Sequence, residues 1–400
     1  MAQRRRIRVL FLHSTLGVGG TEVLRLTQLR HLDRERVEPI VAVQVFDPAR
    51  EGDAWWAGEA RALGVPVVPL GCRTESTFEL WGYAALARAL REHRPDVLQT
   101  TMFASNTVGR IVAAAAPRLP VISEEHNCYV WKNWKHIAVD RALARRSDVI
   151  LACSRAVADF TAAQERIDRR AFRVLYNCLD PARLRVGRPR AAVRAEIGAP
   201  EGALVVVAAG RISPQKGFER LVEAAHAMRA GGREVEVWVV GGDGPGGQRA
   251  KLEAYLAGLG PGAARVRLLG ERKDIADLFA AADIFAHSAR WEGFGLVLAE
   301  AMYASLPVVA FGVDGVPEVV DDGVTGLLAP PNDVGALRAA LEALAADPER
   351  ARRLGEAGRA RALRLFLPEV HVAQLMGIYD ELLARPRVGF RRQARSPDGA

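Results

Sequence analysis

Four hundred residues, half of them apolar and 26% charged, make a chain long enough for two hydrophobic cores rather than one. No run approaches the roughly 20 apolar residues that a membrane-spanning helix needs, and the apolar stretch after MAQRRR is too short, and too soon followed by glycines, for a signal peptide. The formal charge of +8 is lopsided, with 30 Lys/Arg against 20 Asp/Glu in residues 1–190, which leaves 25 against 27 in residues 191–400. A cytoplasmic protein is therefore expected, whose first half either faces phosphate groups or an anionic membrane surface or carries arginine on solvated faces. No basic stripe interleaved with aromatics recurs, so nucleic acid is not an expected partner. Cys72, Cys128, Cys153 and Cys178 show neither a CxxC pair nor a regular spacing, so neither a disulfide framework nor a metal site is expected.

In chain order, IRVLFLH predicts a strand and Thr21–Leu32 a helix. VEPIVAVQVF and VPVVPL follow as strands, then a helix near Trp81–His93, then DVLQTT, PVISEEH, DVILACS and FRVLYN. Short β-rich runs alternating with helical segments are the rhythm of a parallel sheet covered on both faces. After a polar, Pro- and Arg-rich passage the rhythm restarts with ALVVVAAGR, VEVWVVGG, RVRLLGE, IFAHS, LPVVAF and TGLLAPP. The expected fold is α/β, two tandem doubly wound Rossmann-like domains over residues 1–185 and 200–368, facing a central cleft that holds a ligand at the strand C-termini. The C-terminal helix expected over 369–385, within and just beyond the amphipathic run PEVHVAQLMGIYDELLA, is expected to pack back on the first domain, and 386–400 to be a disordered tail.

Several loops carry chemistry. Gly17, Gly19 and Gly20 lie between the first strand and its helix, where a backbone either turns tightly or presents free N–H groups to an anion. His126 ends a strand in SEEHN; alone, such a histidine is more often structural. Trp131, Trp134 and Lys135, followed by Arg141, Arg145 and Arg146, suit a membrane interface or an anionic lipid-linked acceptor, although a solvated helix whose tryptophans pack inward is preferred. In GRISPQKG, Arg211 and Lys216 flank a turn at the head of the second domain and could clamp a pyrophosphate. Gly242–Gly247 is a literal GxGxxG with Glu271 beyond it, which invites an NAD-dependent oxidoreductase, but the motif follows the second strand of its domain rather than the first. In WEGFGLVLAE, the amides of Gly293, Phe294, Gly295 and Leu296 open a helix and suit phosphate oxygens, with Glu292 and Glu300 on either side. Were that span mostly helical, the two acids would stand about 12 Å apart.

GVGGTE, EHN, VLYNCLD, GRISPQKG, VVGGDGP, LLGE, EGFGLVLAE and GVPEVVDDGVTGLLAPPND, in this order, resemble the retaining, nucleotide-sugar-dependent glycosyltransferases of family 4, which have the GT-B fold; the resemblance covers nearly the whole chain. It implies that Glu292 contacts the donor-sugar hydroxyls, Glu300 the ribose, and Gly293–Leu296 the sugar and phosphates. Arg211 and Lys216 would bind the diphosphate, the Gly19–Gly20 loop would approach it, and His126 would lie beside the reacting sugar. His287 and Asp314 depart from the family's usual residues and are not expected to touch the diphosphate clamp.

The function so implied is transfer of a hexose from a nucleotide diphosphate, UDP-sugar before GDP-sugar, to an acceptor hydroxyl with retention, in cell-envelope or extracellular polysaccharide or glycolipid synthesis. No cofactor or metal is expected, since the chain contains no Asp-x-Asp. The acceptor could be lipid-linked, with peripheral contact at the inner face of the cell membrane through the basic N-terminal domain. The alternatives from other classes are an NAD-dependent oxidoreductase and a non-catalytic sugar-binding protein.

Overall fold

The computed structural model describes residues 5–17, 19–75, 77, 79–116, 119–260 and 264–384; the tail expected at 386–400 lies outside them. Every one of the thirteen apolar runs contains a strand. Strands β1 (Ile7–His13), β2 (Val37–Val43), β3 (Val67–Pro69), β4 (Val97–Thr101), β5 (Val121–Glu125), β6 (Val149–Ala152) and β7 (Phe172–Val174) form one sheet in the order β3-β2-β1-β4-β5-β6-β7. Strands β8 (Leu204–Ala209), β9 (Val235–Val240), β10 (Arg265–Gly270), β11 (Ile284–His287), β12 (Val308–Phe311) and β13 (Leu327–Ala329) form another, ordered β10-β9-β8-β11-β12-β13. All their pairings are parallel. Parallel strands covered by helices on both faces read as continuous apolar runs, which is why VLFLH, VVVAA and VVAF were recognisable without alternation.

The chain forms two compact units. One takes in the chain up to Ala152, Ala158–Leu175 and the chain from Val372; the other comprises Cys153–Val157 and Tyr176–His371. In the first unit, Val372, Leu375, Met376, Ile378, Tyr379 and Leu382 of the Pro368–Ala384 helix share a core with Val9, Phe11, Val41 and Ile122. The Tyr379 hydroxyl donates to Gln99 Oε1 at 2.5 Å. In the second unit the core strands are almost wholly sealed, from Val205 through Val207 on β8 to Val308 and Val309 on β12. The four cysteines are buried. No helix among the described residues is long and apolar enough to cross a membrane.

The first unit also buries a charged cluster. Lys132 Nζ donates to Asp140 Oδ2 at 2.7 Å and to Glu165 Oε1 at 2.6 Å, and Arg110 donates to Asp140 Oδ1 at 3.1 Å. Glu125 belongs to it too, held by Asn106 Nδ2 at 2.9 Å. Three carboxyls face two cations out of water, so the cluster keeps a proton: burial, reinforced by the Asp140 charge, pushes the Glu165 carboxyl up to about 8. A carboxyl raised in the folded state holds a proton that the unfolded chain has already lost, so its stabilising effect is full below about 4.5 and declines as pH rises to about 8. Thermal melts across pH 5–9 should show the wild type losing stability through that window and Glu165→Gln losing less. Parallel curves for the two proteins would contradict the retained proton.

Candidate active site

In the second sheet the chain winds outward from β8 through β9 to β10, then returns to begin β11 on the other side of β8. Loops leaving the C-terminal ends of β8 and β11 therefore diverge around a crevice, the place where open α/β sheets hold ligands. The β8 loop carries Arg211 and Lys216; the β11 loop carries Glu292, Gly293, Phe294 and Gly295 and leads into the Leu296–Tyr303 helix. The loops are tied together: Arg290 N donates to Gln215 O at 2.8 Å, Gln215 Nε2 to Trp291 O at 3.0 Å, and Ser288 Oγ to Lys216 O at 3.1 Å.

Glu292 is buried and ion-paired with Lys216 through Oε2, to which His287 Nε2 is also hydrogen-bonded at 3.1 Å. Burial alone would raise this carboxyl; the Lys216 ammonium and then His287 overcome that and hold it at about 2. An ammonium has three N–H donors, so Lys216 retains two for an anion. Arg211 is exposed and has no hydrogen-bond or ion-pair partner among the described residues.

Glu292 precedes the helix and only Glu300 lies within it, so the acids are not separated by eight helical rises. Glu300 is half-buried; burial pushes its carboxyl up, against the pull of Arg183. Gly295 caps the helix at φ +80°, a conformation that bulkier residues adopt at a cost, and no side chain caps the amides that follow. Two residues that the sequence shows only as departures from the family pattern also reach Glu292. His287 touches Glu292 directly, and Asp314 Oδ2 accepts from the Glu292 amide at 2.9 Å; both act on the acid rather than on the clamp cations Arg211 and Lys216. Their positions, 5 and 22 residues from Glu292, carry no periodic signal.

Of the other predicted residues, His126, Gly19 and Gly20 belong to the first unit. His126 follows β5, with Nε2 3.4 Å from Glu124 Oε2 and Nδ1 buried without a partner among the described residues. Glu124 is paired with the buried Arg25 at 2.5 Å, and Arg25 also donates to His13 at 3.1 Å and Thr101 at 3.0 Å. Gly19 precedes the Gly20–His31 helix; a side chain on Gly19 would meet the Glu22 carboxylate at 2.3 Å, whereas Gly20 faces open space. The GxGxxG loop leaves β9 rather than the first strand of its sheet and is tied to the β8 loop, Ile212 N donating to Gly242 O and Gly244 N to Ile212 O, both at 2.9 Å; Glu271 lies against Gly242, 2.2 Å from where a Cβ would stand.

Residues 18–183 match the model described as Glycosyltransferase Family 4, and residues 189–361 the model described as Glycosyl transferases group 1. The chain belongs to the family 4 glycosyltransferases. This family 4 chain is 32% identical over 271 residues to an alpha-maltose-1-phosphate synthase of Mycolicibacterium smegmatis, covering 62% of the chain and 66% of that protein. It is 29% identical over 321 residues to a D-inositol 3-phosphate glycosyltransferase of Streptomyces bingchenggensis, covering 75% and 69%. The chain thus spans about two thirds of the length of these relatives. Its fold is GT-B. The crystal structure of Anabaena HepE in complex with UDP and glucose superposes with a TM-score of 0.82 at 24% identity, over 94% of this chain and all of that one. A sucrose-phosphate synthase from Thermosynechococcus elongatus gives 0.78 at 22%, over 95% and all.

The Glu292 loop can lie where it does only because Gly315 has no side chain: a Cβ there would come 2.0 Å from Gly293 O, while the Gly315 amide donates to Glu292 O at 3.0 Å. Gly315→Ala should cost about 1–3 kcal/mol of stability and weaken nucleotide binding several-fold. Denaturant titration and isothermal calorimetry check both, and an unchanged midpoint with unchanged affinity would refute the close approach.

Proposed function

We propose that the chain is a retaining, metal-independent hexosyltransferase that takes its sugar from a UDP-sugar. The observation that carries this reading is the buried, ionised Glu292 held by Lys216 at the mouth of β8 and β11. A fixed carboxylate can accept from sugar hydroxyls, while two remaining Lys216 protons, the Arg211 guanidinium and the uncapped amides at Leu296 and Val297 neutralise a diphosphate beside it. As the anomeric carbon–phosphate oxygen bond breaks, negative charge grows on the leaving group, where these donors stand. The acceptor oxygen bonds the same face of the anomeric carbon, and its proton passes to a departing phosphate oxygen. Glu300 would take the ribose hydroxyls. His126 and the Gly19–Gly20 loop would serve the reacting sugar and the diphosphate from the first unit.

UDP is preferred because the Anabaena protein binds UDP and UDP-glucose; a GDP-sugar is the alternative. The oxidoreductase reading loses ground because GDGPGG leaves β9 and its Glu271 packs on its own loop. A purely sugar-binding protein would have no use for the Lys216 ammonium held beside Glu292 with donors left for an anion.

The acceptor is proposed to be presented at an anionic membrane. The preference for inward-packed tryptophans is corrected: Trp131 is 55% exposed and Trp134 73%, with Val130 at 55%. Lys135, Arg141 and Arg145 are exposed around them, and from Asn127 to Ser147 the only acid is the buried Asp140. Aromatic and basic side chains together suit the interface of an anionic leaflet.

Glu292→Ala and Lys216→Ala should each lower donor turnover by about 10²–10³ in a panel of UDP- and GDP-sugars, with transfer by the wild type persisting in EDTA and NMR showing a retained anomer. Near-normal turnover by Glu292→Ala, or a strict metal requirement, would remove the basis of the site. Sedimentation with phosphatidylglycerol vesicles, and not with phosphatidylcholine, should be lost in a Trp134→Ser, Lys135→Ser variant; equal binding to both lipids would count against the membrane contact.

A further inference from the structure

Glu292 is held from three sides. Lys216 and His287 both engage Oε2, Asp314 takes the main-chain amide, and Gly315 donates to the main-chain carbonyl. Oε1 accepts no hydrogen bond from a described group. A glutamate side chain turns about three bonds and has two equivalent oxygens, so an untethered carboxylate would present either oxygen in many directions and lose that freedom on binding a sugar. Here one oxygen is occupied twice and the other is left over.

We propose that His287 and Asp314 are positioning residues for Glu292, which pin its backbone and Oε2 so that Oε1 is the one oxygen offered to donor-sugar hydroxyls. His287 reaches it from the end of β11, is almost wholly buried and stacks on Phe285 with ring centroids 6.4 Å apart, so its ring is fixed by packing before any ligand arrives. Burial, and then the neighbouring Lys216 charge, favour its neutral form, whose Nε2 proton is directed to the carboxylate and whose other nitrogen is the acceptor. Asp314 sits at φ +40°, a backbone conformation that a residue with a side chain adopts reluctantly and that places its carboxylate under the Glu292 amide. The consequence is selectivity: a single aimed oxygen serves one or two hydroxyls of defined orientation, so donors differing only in the configuration of that hydroxyl are told apart by the pinned carboxylate and less by a loose one.

The inference rests on the hexosyltransferase reading for the word donor, and the test separates the two. His287→Phe keeps an aromatic ring against Phe285 and removes the N–H; His287→Gln restores a donor; Asp314→Gly removes the carboxylate at an exposed site where the backbone is tolerant. With the donor found in the panel, His287→Phe and Asp314→Gly should lower kcat/KM by about tenfold or more, narrow the preference between UDP-glucose and UDP-galactose, and leave the Kd for UDP within about twofold. His287→Gln should recover most of the loss. Crystal structures of the ligand-free proteins should show the Glu292 carboxylate in a single conformation in the wild type and in several in His287→Phe. Should His287→Phe not fold, Asp314→Gly and His287→Gln carry the same comparison. If both positions tolerate change with normal kcat/KM and a fixed carboxylate while Glu292→Ala is inactive, this inference is overturned and the function stands. If Glu292→Ala is active or the panel yields no donor, the function fails, and the crystallographic comparison alone decides whether the carboxylate is pinned.

Discussion

An ionised carboxylate cannot be buried without opposite charge and hydrogen bonds, and Glu292 is buried. From that constraint most of the second unit's local design follows. The cation must come from a neighbouring strand's loop, so Lys216 after β8 and Glu292 after β11 have to meet where the two strands lie side by side. Backbones that converge so closely leave no room for a Cβ at Gly315. The helix that begins at Leu296 then carries its uncapped amides away from the same crevice wall, so fixed positive charge, free N–H groups and an aimed carboxylate are consequences of one topology.

The first unit uses a related device. Arg25, on the helix that follows β1, is buried against Glu124 at the end of β5, with His13 from the end of β1 on the same guanidinium and Thr101 from β4 beside both. Burial, with the Arg25 charge, drives His13 toward its neutral form to about 3, as burial does for His287. In each unit a cation, a carboxylate and a neutral histidine join strands around the reversal of strand order, so the C-terminal ends of those strands are linked by polar bonds. His126, two residues beyond Glu124, takes its orientation from that network through the 3.4 Å contact.

What could be read from the sequence was whatever has a short-range cause. Strands sealed on both faces, such as β8 and β12, showed as continuous apolar runs, the others as shorter apolar stretches in the same βα rhythm, and the glycine-rich loops showed because few other residues make such turns. The Lys216–Glu292 pair did not, because 76 residues separate its members and only the strand order brings them together. His287 and Asp314 read only as departures from the family pattern for the same reason. The GxGxxG showed the opposite failing: its local pattern was complete, but it leaves β9, and position in the sheet decides what a loop can hold.

The outward tryptophans were misjudged for a physical reason that the sequence contained only in part. In the Trp134–Leu143 helix the buried residue is Asp140, drawn inward by Lys132 and Arg110. Six residues at 100° each put Trp134 about 240° around the helix from Asp140, so burying the acid turns the indole to solvent. A hydrophobicity argument places the tryptophan inside and the aspartate outside; the buried ion pairs reverse both. Since Lys132 and Arg110 are themselves enclosed, exposing Asp140 instead would take from Arg110 its carboxylate partner and leave Lys132 to Glu165 alone, a larger penalty than leaving one indole wet. The aromatic surface is thus fixed by electrostatics beneath it, and any partner it meets inherits an orientation set by the cluster inside.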